Sequence, residues 1–65
     1  MTPTPSMIAA LAKVRPSERN AARIVAEDTF FKALRSPAMG DAHHPEIARE
    51  RAGEAAAAEV ISRFA

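Results

Sequence analysis

"ERNAARIVAEDTFFKALR", residues 18–35, decides the fold class of this 65-residue chain. It lies between two helix-breaking prolines, Pro16 and Pro37, with Ser17 in a capping position just before it. Glu18 falls near the positive end of a helix dipole, and Lys32 and Arg35 fall near the negative end. At 100° per residue, Ile24, Phe30, Phe31 and Leu34 share one broad arc, and Ala22, Val25, Ala26 and Ala33 share another. Asp28, Lys32 and Arg35 fill a narrower polar strip, and Glu27 joins the Phe arc one turn after Arg23. Two apolar arcs and one narrow wet strip predict a central helix with neighbours on both sides.

Upstream, "MTPTP", residues 1–5, is rich in proline and reads as a flexible lead-in to a single helical domain over residues 6–65. Ser6 is the predicted cap of a short first helix in which Met7, Ile8, Leu11 and Val14 approximate one apolar face. Pro16 ends it. Downstream, "SPAMGDAHH", residues 36–44, holds a proline and a glycine and reads as a connection longer than a tight helix hairpin needs.

The third helix, "PEIARERAGEAAAAEVISRFA", runs from Pro45 to or near Ala65. Between Ile47 and Val60 it carries no large apolar side chain, and Ala57, Val60, Ile61 and Phe64 then form a compact patch in its final turns. Gly53 is the one residue that disfavours the helix, by about 1 kcal/mol relative to alanine. Two roles fit the alanine stretch. Ala52, Ala55 and Ala56 can form a seam against a neighbouring backbone, or the stretch can be a solvated helix that carries the Ile61/Phe64 patch outward. The interleaving of Arg49, Arg51 and Arg63 with Glu46, Glu50, Glu54 and Glu59 tips the expectation to the solvated helix.

Composition limits what such a chain can bury. Of 31 hydrophobic residues 16 are alanine, which leaves 15 larger ones for a core, and short chains bury a smaller share of their surface than typical domains do. Without cysteine there are no disulfides or thiolate metal sites to compensate. The expectation is therefore an all-α domain, one short N-terminal helix and two longer ones, completed by association with another chain. No apolar run approaches the roughly 18 residues of a membrane span, and residues 1–14 lack the basic start and apolar run of a signal peptide, so no membrane is expected and the cytoplasm is the default location.

The most chemically loaded stretch is "GDAHHPE", residues 40–46. Consecutive residues on a helix point about 100° apart, so His43 and His44 do not readily chelate one ion. Proline at 45 suits the first helical position, where its missing N–H has no intrahelical partner, and Glu46 then stands in the first turn. The stretch is better explained as a helix start than as a metal site. A carboxylate-bundle metal centre draws on Glu-x-x-His pairs, and none occurs: Arg49 follows Glu46 by three and Phe30 follows Glu27 by three. No phosphate-binding glycine loop or nucleophile elbow is present. Neither a catalytic nor a cofactor-binding residue is expected.

Nucleic acid is disfavoured as a ligand by a net charge of +1 and by the glutamates between the arginines of the third helix. A small dimeric DNA-binding regulator is the runner-up, but a helix-turn-helix joins its helices by three or four residues, and the connection here is about nine. The reading that remains is a non-catalytic protein acting through association, as a homo-oligomer or an accessory subunit of a larger assembly. Its expected partner-binding residues are Ile24, Phe30, Phe31, Leu34, Val60, Ile61 and Phe64, the large apolar side chains of two patches.

Overall fold

The computed structural model describes residues 3–35 and 44–65. They form α1 (Pro5–Ala12), a 3₁₀ turn (Pro16–Glu18), α2 (Arg19–Arg35) and α3 (Pro45–Phe64), with no strand among the described residues. The chain is a small all-α domain, one short helix and two longer ones. Residues 1 and 2, most of the connection after Arg35, and His43 lie outside the described residues.

α1 begins two residues earlier than its apolar pattern suggests. Thr4, not Ser6, is the N-cap: its backbone is extended (φ −74°, ψ 160°) and its hydroxyl accepts a hydrogen bond from the Met7 N–H at 3.3 Å. The reason is Pro5, which occupies the first helical position, where a proline costs nothing, and so moves the cap to the residue before it. At the other end the Lys13 and Val14 N–H groups donate to the carbonyls of Ala10 and Leu11, both at 3.1 Å, tightening the last turn before Pro16 stops the helix.

Ser17 lies inside the 3₁₀ turn, so α2 starts at Arg19. The Glu18 N–H donates to the Arg15 carbonyl at 2.9 Å, and Arg19 Nε donates to the Val14 carbonyl at 3.1 Å, which ties the start of α2 back to the end of α1. Lys32 and Arg35 stand in the last turn of α2, as the sequence suggests. α3 opens on Pro45 with His44 as the N-cap residue and Glu46 in the first turn. Both the Ile47 and Ala48 N–H groups reach the His44 carbonyl, at 3.1 and 3.2 Å.

The helices pack on a core of ten side chains: Met7, Ala10 and Val14 from α1 and the residues after it, Ala22, Ala26 and Phe30 from α2, and Ala52, Ala56, Ala57 and Val60 from α3. Six of the ten are alanine. Leu11, Ala33, Leu34 and Phe64 are partly buried against this core. The long axis of the molecule is 38 Å, too short for α2 and α3 to lie end to end, so α3 lies alongside α2.

Two expectations are corrected here. The central helix is α3, which packs against both α1 and α2, whereas α1 and α2 touch each other far less. The alanine stretch is a packed seam and not a solvated face: Ala52 and Ala56 are fully buried and Ala55 is half-buried. Both corrections have one cause. Small side chains let backbones approach toward the lower end of the roughly 8–10 Å interaxial range, and close backbone approach recruits the alanine arc of α2 to the interface. Ile24 and Phe31, on the other arc, are turned outward.

Gly53 lets the N-cap residue of α1 come close to α3. A Cβ placed on it would lie 2.7 Å from Thr4 Cγ2 and 2.8 Å from Thr4 Cβ, and closer still to Thr4 Oγ1. The Thr4 Cβ is fixed to the backbone, so rotating the side chain does not relieve the clash. The glycine that weakens α3 locally thus seats the N-cap of α1 on it. Gly53→Ala is expected to destabilise the fold by about 1 kcal/mol net, because overpacking costs about 1–3 kcal/mol against a propensity gain of about 1 kcal/mol. A urea midpoint at or above that of wild type would show that the cap moves aside.

Candidate interaction surface

The outer face of α2 is built by the phase of the helix. With Ala22, Ala26 and Phe30 inward at successive turns, Ile24 and Phe31 face away from the core, 65% and 45% exposed. The Phe31 ring meets the buried ring of Phe30 edge-on, with centroids 5.6 Å apart and planes at 89°. The T-shaped contact sets Phe31 against a buried neighbour and favours one placement of its ring. Asp28 and Lys32 border the pair and are joined by an i, i+4 ion pair of 2.9 Å, both side chains exposed.

α3 carries a second outer face. Ile47 and Ile61 are exposed at 38% and 39%, two heptads apart, with Glu54 midway between them and Ala58 one turn before Ile61. Arg63 is committed elsewhere, to an i, i+4 ion pair with Glu59. On α1, Ile8 is exposed although it shares the apolar pattern of that helix, since Met7 and Ala10 take the inward positions.

The seven residues singled out from the sequence therefore divide. Phe30 and Val60 are held in the chain's own core, and Leu34 and Phe64 are half-buried at its edge. Ile24, Phe31 and Ile61 stand in solvent. Ile8 and Ile47 belong with the exposed group and were missed, Ile8 because four apolar residues in helical register read as one inward face, and Ile47 because it stands alone among charges. The signal that finds both is the alanine periodicity, which marks the inward stripe that large side chains do not.

Chemistry at the start of α3 is sparse. His44 Nδ1 lies 3.8 Å from Glu46 Oε1, with both side chains exposed and no side-chain capping bond to the helix. Among the described residues no three His, Asp or Glu side chains are grouped to hold a metal ion, and no pocket is found. No helix among the described residues is long and apolar enough to cross a membrane. Charge is divided unevenly: residues 1–35 hold six cations against three carboxylates, and residues 36–65 hold three against five. Comparison with protein-family models, with curated proteins and with solved structures finds no match to this chain.

Proposed function

We propose that this chain acts through protein–protein association, as an oligomer or an accessory subunit, and not by catalysis. One observation carries the reading: the core is filled mainly by alanine while Ile8, Ile24, Phe31, Ile47 and Ile61 are left in solvent. Single exposed apolar residues are ordinary on any surface. Five of the 13 large apolar residues among the described residues are exposed, one of them a phenylalanine in edge-on contact with a second ring, and this supports the reading. Aromatic side chains are frequent anchors of an interface.

The test combines sedimentation of the purified chain with affinity capture from its source cells, using wild type and Phe31→Asp as paired baits. The expected result is an assembly, with itself or with a captured protein, that wild type forms and Phe31→Asp does not. Retention of DNA that weakens steeply with salt, with no Phe31-dependent assembly, would favour the DNA-binding alternative instead.

A further inference from the structure

The outer face of α2 matches the outer face of α3 in spacing and in charge. On α2, Ile24 and Phe31 are seven residues apart and, with Glu27 and Asp28 between them, frame the kind of four-residue hole that accepts one side chain of a facing helix. On α3, Ile61 is an exposed branched side chain of the size such a hole takes. If a copy of α3 runs antiparallel to α2 with Ile61 in that hole, the position opposite Phe31 is Ala58, one turn before Ile61, small enough to leave room for a ring. One turn further along, Glu54 falls beside Arg35.

Three consecutive positions thus meet suitable partners from one register: knob with hole, ring with alanine, carboxylate with guanidinium. All of Ile24, Phe31, Arg35, Glu54, Ala58 and Ile61 are exposed in the single chain. The charge match at Arg35 and Glu54 follows the wider division of the chain into a cationic first half and an acidic second half. The parallel register that places Ile24 on Ile47 sets Phe31 against Glu54 and Arg35 against Ala58, and loses both matches.

We infer that the partner is a second copy of this chain, docked with the Ile24/Phe31/Arg35 stripe of α2 against the Glu54/Ala58/Ile61 stripe of α3. This rests on the association reading and specifies its partner. The contact joins two different patches, so one docked pair keeps an open α2 stripe on one copy and an open α3 stripe on the other, and further copies can add.

The test is sedimentation velocity over a concentration series for wild type, Arg35→Glu, Glu54→Arg and an equimolar mixture of the two variants, with far-UV circular dichroism to check that each is folded. For wild type the average mass should rise with concentration above that of one chain. Each reversal alone sets like charges together and should weaken self-association on the order of 10-fold. The mixture should recover it, because each variant supplies the charge that the other needs. Wild type remaining at the mass of one chain, or a mixture no larger than its separate components, overturns the inference. A wild-type monomer that still captures another protein through Phe31 would overturn the self-docking alone and leave the association reading standing.

Discussion

Phe30→Ala is expected to remove about 3–5 kcal/mol of stability, and Phe31→Ala, one residue on, only about 1 kcal/mol. The two side chains are chemically identical and adjacent, and only the phase of α2 separates them. Phe30 is 2% exposed in a core where just three other side chains, Met7, Val14 and Val60, are larger than alanine. Truncating it leaves a cavity that six alanines cannot collapse to fill. Phe31 is almost half in solvent, and its loss removes mainly the edge contact with Phe30. At roughly 0.05–0.15 kcal/mol per residue, a chain of this length has about 3–10 kcal/mol in total, so Phe30→Ala takes from about a third of it to all of it. Urea titration followed by circular dichroism measures both. Similar losses for the two would mean that α2 is rotated about its axis, and Ile24 and Phe31 could no longer be assigned to the outer face.

The helices themselves were legible in the sequence because their punctuation is local. Pro16, Pro37 and Pro45 bracket the chain into segments, and the structure places α1, α2 and α3 within them. Which face each helix buries was not legible in the same way. Hydrophobic periodicity weighs side chains by size, and on α2 it ranks the arc of Ile24, Phe30, Phe31 and Leu34 above the arc of Ala22, Val25, Ala26 and Ala33, whereas the core takes Ala22, Ala26 and, from the larger arc, Phe30. Burial in a close-packed three-helix fold ranks them by how near they let the backbones come, and there alanine wins. The same reversal explains Gly53, which reads as a defect in a helix until the N-cap of another helix is seen to rest on it. Ser6 reads as the cap for a related reason: a proline-rich lead-in looks unable to order, although a proline directly after Thr4 is what a helix start tolerates best. Of the candidate surface, Ile24, Phe31 and Ile61 were identifiable from sequence as large apolar residues, but their exposure depends on that alanine-first ranking.

Ala56→Leu tests the ranking directly. Ala56 has no exposure to solvent (0%) and belongs to the core that α3 shares with the other two helices. A leucine there adds three carbons to a contact whose closeness depends on alanine, and either the helices separate or side chains leave their preferred rotamers. Overpacking of a well-packed core typically costs about 1–3 kcal/mol, and a loss in that range is expected because Ala56 has no side open to solvent. Ala21→Leu, on the exposed side of α2, serves as the control and should stay within about 0.5 kcal/mol of wild type. The comparison reaches beyond stability. The helix phase that turns Ala22 and Ala26 of α2 and Ala52 and Ala56 of α3 into the core turns Ile24, Phe31 and Ile61 away from it, so the exposure of those three residues goes with the seam. If Ala56→Leu melts like wild type, the seam is loose, room exists inside for larger side chains, and the outer faces of α2 and α3 lose the physical reason for being apolar.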